Sequence, residues 1–326
     1  MTRGLVLGKF LPPHAGHLHL VNFARAMVDE LVVVVGTLPS EPIHGGLRYA
    51  WMTELCPSCR VVHLDEVLPQ APEEHPDFWN LWRTSLRRLV PDPLDHVFAS
   101  ETYGLRLAQE LEATFIPVDI GRDALRISGT AVREAPFKHW AHLPPPVRAY
   151  ACQRISIYGP ESCGKTTLAQ ALAQHFETAW VPEYARVGLE HGAPLAVDSL
   201  KRFMRAQAAS EDALARSANR RLFCDTDPSV TPLWAKLLLG HSIPPPPSRH
   251  YDLTLLLRPD VPFVDDDVRY APEARTDFFE DCQRLLNAEQ RRMIVIGGSF
   301  QERLRQAIDA VSSLPPPNLN EARPKA

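Results

Sequence analysis

The sequence predicts two α/β domains in series, each built on a mainly parallel sheet with helices packed against its faces. Three observations carry that expectation. Short β-branched apolar runs alternate with helix-like stretches along almost the whole chain, the pattern of a parallel sheet covered by helices. The 326 residues exceed one typical domain of about 150 residues. A proline run at 144–146 breaks regular structure between the two series. The boundary is therefore expected near residue 150, giving domains 1–150 and 151–314. Proline-rich, apolar-poor 315–326 is expected to be a disordered tail.

The first strand series is expected at 5–7, 31–36, 61–64, 96–99 and 116–118, with helices near 17–29, 47–55, 77–90 and 103–113. The second is expected at 154–158, 179–182, 222–225, 253–257 and 293–297, with helices that include 167–176, 197–219 and 274–290. Prolines 244–247 read as an extended loop ahead of the strand at 253.

Composition excludes several classes. Apolar content is 45% and charged content 23%, ordinary for a soluble globular protein, and no apolar run approaches the ~20 residues that span a bilayer. The strand-like residues 4–8 follow Met1 almost at once and leave no space for a signal peptide, so the expected location is cytoplasmic. A net charge of −4 argues against nucleic acid as a partner. Six cysteines do not make a disulfide framework in a chain of this length. Cys56-Pro57-Ser58-Cys59 is a single C-x-x-C and reads as a turn rather than a zinc site. Whether the chain forms a homo-oligomer is left open.

The most specific motif runs Gly159-Pro160-Glu161-Ser162-Cys163-Gly164-Lys165-Thr166, after the apolar run 155–158 and before a helix that continues through Thr167. Strand before and helix after is the context of a genuine phosphate loop. Gly159 and Gly164 let backbone amides turn toward phosphate oxygens, Lys165 reaches the β and γ phosphates, and Thr166 offers its hydroxyl to Mg2+. Cys163 inside the loop, if exposed, makes this half sensitive to thiol reagents. Further on, the strand at 222–225 ends in Asp225-Thr226-Asp227, the place in an α/β sheet for a carboxylate that binds magnesium or orients a hydroxyl.

The first half carries its own phosphate signals. The opening strand leads through Gly8-Lys9-Phe10 to His14-Ala15-Gly16-His17 at a helix start, where free amides favour an anion and imidazoles can donate to a triphosphate. Ser128-Gly129-Thr130 with Arg133 one turn later reads as a second phosphate turn, against the plainer alternative of a helix cap.

With H-x-G-H and I-S-G-T-x-x-R in place, the first half resembles the nucleotidylyltransferase superfamily. That resemblance implies attack on the α-phosphate of a nucleoside triphosphate, His14 and His17 at the α-phosphate, and Ser128, Thr130 and Arg133 at the β and γ phosphates. Joined to a phosphate-loop domain, and with Gly8-Lys9-Phe10, Leu47-Arg48-Tyr49-Ala50-Trp51, the stretch 75–82 and 98–101 also matching, the chain resembles the NadR-type family of bifunctional nicotinamide-mononucleotide adenylyltransferases and ribosylnicotinamide kinases. The resemblance implies a Rossmann-like nucleotidylyltransferase domain and a P-loop kinase domain, with Mg2+ as cofactor and ATP as co-substrate. It implies nicotinamide riboside and nicotinamide mononucleotide as small-molecule substrates, with Arg48 among the contacts and Trp79 or Trp82 stacked on the nicotinamide ring. In the kinase half it implies Glu183 as a base for the ribose hydroxyl and Tyr184 and Arg186 beside it. Asp227 falls at the substrate, and Phe263, Asp266 and Arg269 in a substrate-facing lid. The base stays open between Glu183 and Asp225. The family's helix-turn-helix DNA-binding module is expected to be absent, since the first catalytic strand begins near Met1. A fused enzyme with other substrates, or a nucleotide-sensing regulator, remains an alternative, against which intact His14, His17, Lys165 and Thr166 weigh.

Overall fold

A computed structural model describes residues 1–263 and 272–321. The described residues divide into two compact units, Met1–Val147 with residues 317–321, and Arg148–Pro316.

The first unit runs β1 (Arg3–Gly8), α1 (Ala15–Met27), β2 (Glu30–Gly36), α2 (Gly45–Leu55), β3 (Arg60–Leu64), α3 (Phe78–Leu89), β4 (His96–Ala99), α4 (Tyr103–Glu110), β5 (Thr114–Pro117) and α5 (Gly129–Glu134). Its sheet has the order β3-β2-β1-β4-β5, all parallel. Val32, Val33, Val34 and Val35 of β2 are all fully buried, as expected of a sheet covered on both faces. Val32 and Val34 join Leu5, Leu86 and Leu107 on one face, while Val33 and Val35 join Val6, Leu20 and Met52 on the other. Each such side chain contributes about 1.5–3 kcal/mol by leaving water. The strand order reverses between β1 and β4, which opens a crevice at their carboxyl ends, the usual ligand position in such sheets.

The units are joined within α6 (Pro145–Ala151). The proline run, expected to interrupt structure, instead opens this helix, because proline is tolerated where the first-turn N–H groups have no intrahelical partner. The second unit continues with β6 (Gln153–Tyr158), α7 (Lys165–His175), β7 (Trp180–Val181), α8 (Tyr184–Glu190), α9 (Val197–Ala215), β8 (Arg221–Asp225), α10 (Thr231–Leu239), β9 (Leu253–Leu257), α11 (Arg275–Ala288), β10 (Met293–Ile296) and α12 (Phe300–Ser312). Its order is β10-β9-β6-β8-β7, again parallel. The register sets Asp225 opposite Ile157, so β8 delivers a carboxylate to the end of β6 from which the phosphate loop departs.

The expectation for the C-terminal residues changes too. Of the anticipated tail, residues 317–321 pack on the first unit: Leu319 is fully buried and its N–H donates to the Arg133 carbonyl at 2.9 Å. A single apolar side chain with a pocket to fill outweighs the polar composition around it. Among the described residues no helix is long and apolar enough to cross a membrane.

Candidate active sites

In the first unit the chain leaves β1 through Phe10, whose φ is +46°, and reaches α1 with His14 as its N-cap, the Nδ1 accepting from the Gly16 N–H at 3.1 Å. That bond places the His14 proton on Nε2. His17, in the first turn of α1, lies with its ring centroid 5.0 Å from that of Phe10. Its Nδ1 is buried and has no protein partner among the described residues, which suits it to a hydrogen bond with a ligand. Burial, then Arg122 and His142, lowers the His14 imidazole to about 4. Burial, then His14 and Arg122, holds His17 well below its ordinary range. Both are therefore held as neutral imidazoles, each with one N–H to donate.

The α5 turn meets this loop directly. Ser128 caps the helix by accepting from the Ala131 N–H at 3.2 Å. A Cβ on Gly129 would stand 2.7 Å from the Leu11 carbonyl oxygen, so the approach requires glycine. Arg133 donates through Nη1 to that same carbonyl at 2.6 Å and through Nη2 to Thr130 Oγ1 at 3.2 Å. A cavity of about 560 Å³ is lined by Gly8, Lys9, Phe10, His17, Ser128, Gly129, Thr130, Arg133, Trp79 and Trp82. His14 lines an adjoining recess of about 80 Å³ that shares His17, Ser128 and Gly129. Trp82 donates its indole N–H to the Pro69 carbonyl at 2.9 Å, and both tryptophans also pack on the apolar core, so each is fixed while presenting a surface to the cavity.

Arg48 departs from expectation. It is fully buried and does not line the cavity. Its donors go to the carbonyls of Ile43 (3.0 Å), Lys9 (2.5 Å) and Gly36 (3.4 Å) and to Glu41. It shapes the loops around the cavity rather than a ligand within it. Glu41 was not legible in advance. It lines the cavity, pairs with Arg48 and with Lys9 Nζ at 3.2 Å, and accepts from the Leu38 N–H at 2.9 Å. Arg122, at φ +54°, borders both recesses and carried no motif to mark it.

In the second unit the phosphate loop spans β6 and α7. Gly159 has φ +146°, where a Cβ would meet Cys163 Sγ at 2.7 Å and the Leu257 carbonyl oxygen at 2.9 Å. Gly164, at φ +87°, is the N-cap of α7. The loop is backed from distant parts of the chain: Arg303 Nη1 donates to the Cys163 carbonyl at 2.7 Å and Arg275 Nη2 to the Ser162 carbonyl at 3.3 Å. Neither arginine had a local signal, because each acts only through tertiary contact. Lys165 Nζ donates to the Pro160 carbonyl at 2.9 Å. Burial works against the Lys165 charge, but Cys163, Glu183, Asp225 and Glu161 together raise its pKa, so it remains a cation.

Thr166 Oγ1 donates to Asp225 Oδ2 at 2.5 Å, while the buried Asp225 Oδ1 has no partner among the described residues. Burial, and then Glu183, pushes the Asp225 carboxyl above the usual carboxylate range. A hydroxyl beside an uncommitted carboxylate oxygen is a donor set suited to a hard divalent cation. Among the described residues no three His, Cys, Asp or Glu gather to hold a metal, so such an ion would draw its other ligands from phosphate and water.

A cavity of about 130 Å³ adjoins the loop, lined by Glu161–Thr167, Glu183, Arg186 and Asp227, and walled by Phe203, Gln207 and Trp234. Trp234 is stacked on Phe278 with centroids 3.9 Å apart. Glu183 and Arg186 therefore border the same cavity as the loop. Tyr184 does not line this cavity: it is exposed, with its ring 6.0 Å from that of Phe203. Asp227 borders the cavity, yet its oxygens accept from Ser156 (2.7 Å), Tyr158 (2.9 Å), the Ser229 N–H (2.8 Å) and Arg291 (2.6 Å). That set satisfies its lone pairs and makes it an anchor of the strand end rather than a ligand group. Phe263 lies with its ring centroid 5.8 Å from the Arg275 guanidinium. Asp266 and Arg269 lie outside the described residues.

The fold and both sites define a nucleotidylyltransferase-like domain followed by a P-loop nucleotide-binding domain. Family models agree, with cytidylyltransferase-like matching residues 5–135 and AAA domain matching 154–303. The chain is 30% identical over 142 residues to the nicotinamide-nucleotide adenylyltransferase of Aeropyrum pernix, covering 41% of this chain and 78% of that protein. It is 27% identical over 295 residues to the trifunctional NAD biosynthesis/regulator protein NadR of Escherichia coli (strain K12), covering 82% of this chain and 72% of the relative. A crystal structure of NadR protein in complex with NR superposes with a TM-score of 0.78 at 24% identity, over 96% of each chain. The chain belongs to the nicotinamide-nucleotide adenylyltransferase family and, across both domains, is a homologue of NadR proteins.

Proposed function

We propose that this chain is a bifunctional cytoplasmic enzyme of NAD biosynthesis. Its second domain phosphorylates nicotinamide riboside with ATP, and its first transfers AMP from ATP to the resulting mononucleotide, giving NAD and pyrophosphate. The single observation that supports this best is the presence of two separate phosphate cradles, a neutral imidazole pair at a helix start and a complete phosphate loop with its carboxylate.

In the adenylyl-transfer site His14 and His17 donate to the α-phosphate, where negative charge grows as the mononucleotide phosphate attacks. Ser128, Thr130 and Arg133 hold the departing pyrophosphate. Trp79 and Trp82 offer flat faces to the cationic nicotinamide ring. No covalent intermediate is needed, so catalysis rests on positioning and charge stabilisation.

In the kinase site the loop amides and Lys165 hold the β and γ phosphates, and Glu183 or Asp225 orients the ribose hydroxyl for attack. Thr166 and Asp225 would hold magnesium, which supplies charge neutralisation at the phosphate oxygens. Supplying nicotinamide riboside, ATP and magnesium and following both products by mass spectrometry tests the assignment. Mononucleotide is expected first and NAD second. Lys165→Ala should abolish mononucleotide formation, and His17→Ala should let mononucleotide accumulate. A protein that binds ATP and mononucleotide but releases no pyrophosphate would return the regulator alternative.

A further inference from the structure

Arg133 is restrained by a part of the chain far from it in sequence. Its Nε donates to Asn320 Oδ1 at 2.8 Å, across a separation of 187 residues. The same short segment also grips the Arg133 backbone, since the Leu319 N–H donates to the Arg133 carbonyl at 2.9 Å and the Leu319 side chain is fully buried. The Asn320 amide is itself oriented: Asn318 Oδ1 accepts from the Asn320 backbone N–H at 3.1 Å and from its side-chain Nδ2 at 3.2 Å. With its N–H side turned to Asn318, Asn320 presents its carbonyl oxygen to the guanidinium, so the network decides which way the amide faces.

A guanidinium carries five N–H donors in a rigid plane. Leu11, Thr130 and Asn320 each take one on Arg133, and the remaining two have a fixed direction. A planar fork held on three sides loses less orientational freedom when it meets phosphate.

We propose that Asn320 is a positioning residue of the adenylyl-transfer site, orienting the Arg133 guanidinium toward the terminal phosphates of ATP while Leu319 anchors the segment. The inference rests on the adenylyl-transfer function proposed above. The first site is then completed by residues that follow the whole second domain in sequence.

The test is steady-state adenylyl transfer to nicotinamide mononucleotide in a Lys165→Ala background, which silences the phosphate loop. Asn320→Ala should raise KM for ATP by about three- to tenfold, the range expected for one hydrogen bond to a charged group that solvent partly replaces, with KM for the mononucleotide unchanged. Asn318→Ala should produce a smaller rise of the same kind. With Lys165 restored, the kinase activity of Asn320→Ala should equal that of the parent, and the unchanged KM for the mononucleotide checks that the first domain is folded. In an Arg133→Ala protein, adding Asn320→Ala should change nothing further, because the cycle isolates what acts through Arg133. An unchanged KM for ATP, additive losses in the double variant, or an equal rise for both substrates would each overturn the proposal. If the Lys165→Ala protein with Asn320 intact releases no pyrophosphate at all, the adenylyl-transfer function fails with it. Release that ignores Asn320 sinks this inference alone.

Discussion

The imidazole of His17 lies against that of His14, with ring centroids 3.8 Å apart and 29° between the planes. Two imidazolium ions would repel at that separation, and burial adds a desolvation penalty to each charge. Burial and this proximity both favour the neutral rings. Each then has one N–H to give, which suits binding an α-phosphate without moving a proton.

The first prediction concerns pH. Because the His14 pKa is lowered from 6.5 to about 4 by burial, neither imidazole should gain a proton between pH 8 and about pH 5. Adenylyl transfer should therefore show no break near pH 6.5 from these residues. The linkage to stability follows in sign: the folded value lies below the unfolded one, so the contribution is present above pH 6.5 and is lost as pH falls toward about 4. Its size is on the order of 3 kcal/mol. Urea unfolding of the wild type and of His14→Asn across that window measures it, and an NMR titration of His14 centred near its ordinary value would refute the account.

The second prediction separates shaping from binding. Arg48→Ala would take from Glu41 its buried cation, leaving the half-exposed Lys9 ammonium and the Leu38 N–H, and remove the donor from the Lys9, Ile43 and Gly36 carbonyls. Removing one partner of a buried ion pair costs about 3–5 kcal/mol. Denaturant unfolding of the first domain should register that loss while kinase activity persists. Arg48→Lys keeps a charge but not the planar fork and should be destabilised as well, by less. A variant of full stability with only a raised KM would return Arg48 to direct substrate contact.

How much of this was legible in the sequence depended on the range of the interaction. Strands such as β2 announce themselves because four consecutive valines fit only a sheet buried on both faces. His14, Lys165 and Asp225 were legible because each sits where a strand hands over to a loop or helix, and the phosphate motifs are local. Arg48 and Asp227 matched a pattern that marks importance without saying whether a residue touches ligand or holds the residues that do. Arg303, Arg275 and Asn320 were invisible because their partners lie 140, 113 and 187 residues away. No window of sequence contains such a contact.

The third prediction reverses the expectation for Cys163. The thiol is 1% exposed and donates to the Pro160 carbonyl at 3.0 Å, and burial raises its pKa although Lys165 opposes the shift. A thiolate is the reactive species, so the phosphate loop should resist alkylation in the native state. Cys59 is only partly buried, and hydrogen bonding from Cys56 lowers its pKa. Iodoacetamide on native protein should therefore label Cys59 ahead of Cys163, with kinase activity retained, and peptide mapping reads the order. Rapid loss of kinase activity with label on Cys163 would contradict the buried position.

The fourth prediction concerns Asp225, whose Oδ2 takes the Thr166 hydroxyl while Oδ1 stays uncommitted. Asp225→Asn preserves shape and removes charge, so it should lower the kinase kcat by about 10²-fold or more and leave adenylyl transfer intact. Burial and then Glu183 raise this carboxyl. The acid limb of the kinase pH profile should accordingly lie above the ordinary carboxylate range and disappear in Asp225→Asn. A raised folded value also means that stability is lost as pH rises through it: an ionised Asp225 is a cost the fold carries at neutral pH. The inactive Asp225→Asn protein should consequently unfold at the same or higher denaturant concentration than the wild type at pH 7. Lower stability together with lost activity would instead mark Asp225 as a structural anchor of the kind Asp227 provides.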